Sequence, residues 1–302
     1  MMLRRAAILT LTTLLAATSL AAQEGEFSSE ISVNLVLVPV VVRDSRGGFV
    51  SGLEADDFRL TVDGKPVEIE TFDAGADAPM SLVFLQDLSG SMGNGGKLEA
   101  SQRTLTYFLA RAQEGDELAL ASFASGRLGI DIPFTHDLSV FREAMALWKP
   151  YGTTALHDAV AWIPEISDDG RHPKRAVVLV TDGVDNASTL TPALARNMVQ
   201  KARLPVYILG LGEGSPTAEG TFAPLLQRLA RATGGRFFSA TSPSDISRAS
   251  VTVIGELRSQ FVLGFHATSS GPRAYRPIRV EAKKRSYRVT HRQGYRGGPP
   301  AP

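Results

Sequence analysis

Residues 84–93 read FLQDLSGSMG, the end of the apolar run MSLVFLQD (80–87) followed by a glycine-containing turn. A second run, AVVLVTDG (176–183), ends in the same way, with a carboxylate at Asp182, and a third is PVYILGLG (205–212). Apolar runs without alternation are expected for parallel strands covered on both faces. Between them lie segments with helical spacing, at 97–113, 137–148, 154–166, 190–203, 223–233 and 243–260. In the first of these, Leu98, Ser101, Leu105, Phe108, Leu109 and Ala112 share one face. DELALASFAS (116–125) and GRLGIDIPF (126–134) read as one further strand and a hairpin partner. Strand–helix alternation of this kind predicts an α/β fold with a doubly wound, mainly parallel sheet over residues 80–256.

Outward from that zone the rhythm changes. Residues 23–79 form an N-terminal β-rich segment. Its first eight residues (QEGEFSSE) are linker-like, ISVNLVLVPVVVRD predicts a strand, and DFRLTVDGKPVEIETF predicts a hairpin turning at Asp63-Gly64. Residues 257–297 return to alternating β character, and 298–302 form a short tail. Two or three strands alone bury little apolar area. The two β-rich segments are therefore expected to combine into one small β-sandwich-like domain, with the α/β domain inserted between them.

Residues 1–22 (MMLRRAAILTLTTLLAATSLAA) have the anatomy of a secretory signal peptide: Arg4 and Arg5, a short apolar core, then small residues with Ser19-x-Ala21 before a cut. The core is short for a membrane span of about 20 residues. The chain is expected to be exported, periplasmic or secreted, with no membrane span after cleavage. Its 302 residues carry 32 Lys+Arg against 31 Asp+Glu, which gives no electrostatic footprint for nucleic acid. The absence of cysteine excludes disulfides, thiolate metal sites and thiol nucleophiles, and no pair among the five histidines is spaced i, i+4.

The chemistry gathers at the strand ends. Asp87, Ser89 and Ser91 alternate as D-x-S-x-S just past a buried strand, where such folds keep their ligand sites. If the strand ending at Asp182 is a neighbour, two carboxylates face one crevice and repel. A divalent cation resolves that repulsion. Carboxylate and hydroxyl oxygens are hard donors that suit Mg²⁺, with Mn²⁺ or Ca²⁺ possible. The loop YGTTALHDAV (151–160) offers a further hydroxyl oxygen.

D-x-S-x-S at a strand end, a threonine in a Gly-Thr loop before a helix, and a later strand ending T-D-G together resemble the von Willebrand factor type A (VWA) domain and its metal-ion-dependent adhesion site. The resemblance covers roughly residues 80–256. It implies cation binding, directly or through water, by Asp87, Ser89, Ser91, Thr154 and Asp182, with Thr154 preferred to Thr153 because T-A-L-x-D-A aligns it with the family's threonine. It also implies an open coordination position that an Asp or Glu of a partner completes. The flanks are similar to those of secreted bacterial proteins that carry this domain between β-rich segments.

Several nearby residues are read more plainly. Asp185 and Asn186 shape their loop and cap the next helix. Asp158 either bonds a metal-bound water or loop backbone, or is a solvated helix residue. His157 is a loop or surface residue and not a ligand, Trp162 is a core residue, Tyr151 is either core or part of the partner surface, and KKRSYR (283–288) is an exposed strand face. The function expected is a non-enzymatic binding protein that captures an acidic group of a protein or polymer through the ion. The alternatives are a metal-stabilised structural scaffold and a metal-assisted hydrolase. The last is disfavoured because the sequence has no G-x-S-x-G elbow and no P-loop, and only His157 could serve as a base.

Overall fold

A computed structural model describes residues 34–75, 78–183, 185–211, 222–267 and 275–296. The expected leader (1–22), the linker-like stretch and the tail (298–302) lie outside the described residues. In chain order the elements begin with β1 (Asn34–Arg43), β2 (Phe58–Val62), β3 (Lys65–Val67) and β4 (Thr71–Asp73). The α/β unit follows with β5 (Met80–Asp87), α1 (Lys97–Leu109), β6 (Glu117–Ala124), β7 (Arg127–Thr135) and α2 (Val140–Ala146). It continues through α3 (Leu156–Ala161), α4 (Ile163–Ser167), β8 (Lys174–Thr181) and α5 (Pro192–Val199). It closes with β9 (Val206–Leu211), α6 (Phe222–Thr233), β10 (Phe237–Ala240) and α7 (Pro243–Arg258). The last elements are β11 (Gln260–Ala267), β12 (Tyr275–Ala282), β13 (Arg288–His291) and β14 (Gly294–Arg296).

The central sheet has the order β10-β9-β8-β5-β6-β7, and every pairing is parallel except the β6–β7 hairpin. This is the doubly wound, mainly parallel architecture that the apolar runs predicted. The reason is visible along β5, where Leu82 and Phe84 enter one core and Val83 and Leu85 the other. The first core is closed by α1, α2 and α7 through Leu105, Phe108, Phe141, Val253 and Leu257. The second is closed by α3 to α6 through Leu156, Val160, Ile163, Ala195 and Leu226. Fully burying one such Leu, Val or Phe side chain stabilises by about 1.5–3 kcal/mol, so burial on both faces ties this sheet to its helices.

Strand order runs outward from β5 through β6 in one direction and from β8 through β9 in the other. The switch point therefore lies between the carboxyl ends of β5 and β8, and crevices open at such points in α/β sheets.

The flanking strands make two four-stranded sheets, β13-β1-β11-β4 and β14-β12-β2-β3. Val36, Val38, Val40 and Val42 of β1 share one core with Phe58, Leu60 and Val62 of β2 and with Phe261, Leu263 and Phe265 of β11. Strands from both ends of the chain thus bury one another's apolar faces. Pro39 sits in register opposite Val262 with no bulge. The predicted hairpin divides: β2 and β3 pair across Asp63-Gly64, whereas Thr71–Asp73 crosses to the other sheet and pairs with β11.

Three further expectations are corrected. The 154–166 segment is two short helices meeting at Trp162, because Pro164 opens α4 and lacks the N–H that would continue α3. Trp162 is 54% exposed and is not a core residue, while Trp148 is buried. Residues 283–287 form the turn between β12 and β13, so only Arg288 of the basic cluster lies on a strand.

Candidate metal centre

Asp87 is the last residue of β5 and is wholly buried. Its Oδ1 accepts the Ser89 N–H at 2.8 Å, and its Oδ2 accepts the Thr181 hydroxyl at 2.6 Å. The second bond follows from the parallel register, in which Gln86 pairs with Val180 and the next pair across is Asp87 and Thr181. Burial raises the Asp87 carboxyl above its ordinary range; the Thr181 and Ser89 hydrogen bonds oppose this, and the neighbouring Asp182 charge adds to it. A carboxylate in this position favours any cation that comes to it.

After Asp87 the chain makes a short 3-10 turn, Gly90–Gly93, that follows Ser89 and carries Ser91 outward. Ser89 is buried and Ser91 exposed, and their hydroxyls are 3.2 Å apart. The Ser91 hydroxyl donates to Asp182 Oδ1 at 2.9 Å, bridging 91 positions of sequence. The side chain of Asp182 is 6% exposed. One hydrogen-bonded chain therefore joins Ser89, Ser91 and Asp182, and the main chain of Ser89 ties Asp87 to it. The crevice is deepest at Asp87 and opens to solvent at Ser91.

Thr154 joins this group through main-chain bonds. Its loop is pinned to the Asp87 turn by Gly90 N–H to Gly152 O (3.0 Å) and Tyr151 N–H to Leu88 O (2.8 Å). On its other side Thr154 N–H donates to Asn186 Oδ1 at 2.9 Å, and Thr154 O accepts from the N–H groups of Asn186 and Ala187. Thr154 is 2% exposed, held between the two loops that carry the carboxylates.

The surrounding polar residues organise the loops. Asp158 accepts the N–H groups of Thr189 (3.0 Å) and Leu190 (2.9 Å), fastening the loop after β8 to α3. Asp185 accepts His157 N–H at 2.9 Å and has His157 Nδ1 at 3.1 Å. His157 is a loop-fastening residue here. Tyr151 is 49% exposed beside the crevice. Two participants were not identified from sequence. Thr181 is buried as the hydroxyl partner of Asp87, and the parallel register of β5 and β8 is what sets the two side by side. Lys97, the first residue of α1, places its Nζ 2.7 Å from Asp182 Oδ2. Among the described residues no group of three or more His, Asp or Glu gathers as a metal cage. The crevice offers instead two carboxylates, several hydroxyls and one ammonium, an arrangement of oxygen donors suited to holding a cation or a cationic group.

Residues 82–184 match a family model described as von Willebrand factor type A domain, a span that contains Asp87, Ser89, Ser91, Thr154 and Asp182. Among solved structures, a von Willebrand factor type A protein from Catenulispora acidiphila is similar at 13% identity and TM-score 0.51, covering 89% of this chain and 75% of that one. Proximal thread matrix protein 1 from the mussel byssus is similar at 16% identity and TM-score 0.52, covering 70% of this chain and 51% of that one. A Borreliella burgdorferi protein described as uncharacterized is 25% identical over 190 residues, 55% of this chain. The chain spans 54% of the length of that relative. Together with the sheet order, these matches show a VWA-like α/β fold.

Proposed function

We propose that this chain is an exported, non-enzymatic binding protein whose crevice holds a divalent cation, Mg²⁺ first and Mn²⁺ or Ca²⁺ as alternatives. Asp87, Ser89, Ser91, Thr154 and Asp182 are the proposed ligands, direct or through water. The observation that carries the reading is the convergence of Asp87 and Asp182 at the switch point, linked through Ser89 and Ser91. The donor set fits the ion: it is all oxygen, with no thiol and no imidazole, as hard cations require. A buried carboxylate with a raised pKa beside a second carboxylate is also an arrangement that a cation relieves.

The bound ion would supply a Lewis-acidic position at the exposed Ser91 end. There an acidic side chain of a protein or polymer partner can complete its coordination. The export reading is supported by residues 1–22, and among the described residues no helix is long and apolar enough to cross a membrane. The test is capture of envelope or medium proteins on the immobilised chain, in Mg²⁺ and in EDTA, with Asp87→Ala alongside. Partners held in Mg²⁺ and released by both EDTA and Asp87→Ala support the reading. Partners retained under both treatments contradict it.

A further inference from the structure

A second cavity, of about 520 Å³, lies where α5 and α6 meet the end of the sandwich. That volume is within the roughly 300–1,000 Å³ common for small-ligand sites. Arg196 projects to it from α5, Arg228 and Arg231 from α6, and Arg296 from β14, with Asn197 and Tyr275 between them. Among the described residues that line it no side chain is acidic. Arg196, Arg228 and Arg231 are exposed.

A fifth guanidinium stands behind the wall. Arg292 is 2% exposed; its Nη2 donates to Gln200 O at 2.6 Å and its Nε to Gly294 O at 2.8 Å. Its Nη1 is buried with no hydrogen-bond partner among the described residues. Burial first, and then the nearby Arg203, lower its pKa to about 10. Like charges gathered around a concave wall repel one another, and a ligand of concentrated negative charge removes that repulsion. Guanidinium forks match pairs of phosphate oxygens, and several forks around one small volume favour a group that carries several charges within a few ångströms.

We propose that this cavity binds a small multivalent phosphate, with Arg196, Arg228, Arg231 and Arg296 as its donors. The site is separate from the crevice at Asp87 and needs no divalent ion. A second basic groove, which includes Arg59 and Arg279, is lined also by Glu281, whose carboxylate pairs with Arg279 at 2.5 Å. It therefore serves as the internal control.

The experiment is calorimetric titration of the full chain with tripolyphosphate in metal-free buffer, with citrate and sulfate as comparison anions. Tripolyphosphate should bind, more tightly than citrate or sulfate, with affinity falling as NaCl is raised. Arg228→Ala/Arg231→Ala, on exposed helix positions, should weaken binding on the order of tenfold or more, and Arg196→Ala from a different helix should weaken it as well. Arg59→Ala/Arg279→Ala and Asp87→Ala should leave it unchanged, which separates this site from the proposed metal centre. No heat with tripolyphosphate, equal affinity for citrate, or full affinity in the Arg196 and Arg228/Arg231 variants would overturn the proposal.

Discussion

Lys97 Nζ stands 2.7 Å from Asp182 Oδ2, while the other oxygen of the same carboxylate accepts the Ser91 hydroxyl at 2.9 Å. The crevice thus has a positive charge of its own on the outer carboxylate, anchored to the first turn of α1. Any divalent ion drawn to Asp87 and Asp182 meets that ammonium as a neighbour of like charge.

Lys97→Met should therefore tighten binding of Mg²⁺ or Mn²⁺. Two charges a few ångströms apart in a partly solvated site interact by about 1–4 kcal/mol, so a gain on the order of tenfold is expected. Calorimetric titration of both proteins at one ionic strength checks it. Weaker metal binding in the variant would mean that Lys97 holds Asp182 in its productive position.

Thr181→Val removes the buried hydroxyl that donates to Asp87 Oδ2 at 2.6 Å and keeps the shape of the side chain. Leaving a buried carboxylate oxygen without that partner should cost about 1–3 kcal/mol at neutral pH in metal-free buffer. Urea denaturation measures the loss, and unchanged stability would place Asp87 in better contact with solvent than its burial indicates.

Gly152 has a φ of +64°, and a Cβ built there would collide with the Ser125 hydroxyl. That hydroxyl accepts the Thr153 N–H at 3.1 Å, so Gly152→Ala strains the turn and disturbs the bond beside Thr154 together. The left-handed conformation alone costs a non-glycine residue about 1–2 kcal/mol. Thermal melting should show that loss, and metal affinity should fall with it because Thr154 shares the loop.

Much of this could be read from the chain itself. The buried runs at β5, β8 and β9 had no polar alternation because both faces of the sheet are covered, and the D-x-S-x-S and T-D-G ends lay where two neighbouring strands must finish. Other features were hidden for physical reasons. A lysine opening a helix reads as solvated, and only the tertiary approach of β8 gives Lys97 a carboxylate. Trp162 continued the helical spacing of 154–166, but the break at Pro164 turned it outward. The arginines at 196, 228, 231 and 296 are scattered in sequence, and only the packing of α5 and α6 against the sandwich gathers them.

Asp245 supplies a pH dependence. Its carboxylate accepts the Ser242 hydroxyl at 2.7 Å and the Ser242 N–H at 3.0 Å, closing a capping box on α7, and Arg248 pairs with it. The Ser242 hydroxyl first, then Arg248, holds its pKa well below the usual 3.8. A lowered folded-state pKa means that the stabilisation is present above 3.8 and is lost as pH falls through the folded value. Asp245→Ala should therefore be less stable than the unaltered chain at pH 7, with the gap narrowing in strong acid. Denaturation curves across that range test it; a gap constant with pH would show that the cap acts by shape alone.

On the proposed reading Asp87 and Asp182 share one divalent ion. Isothermal titration of the metal-free chain with Mg²⁺, repeated with Mn²⁺ and Ca²⁺, tests it directly against Asp87→Ala and Asp182→Ala variants whose folded state is verified by circular dichroism. One ion bound per chain, lost in both variants, is the predicted result. Absence of uptake of all three ions by the unaltered chain, or undiminished uptake by both variants, would contradict it.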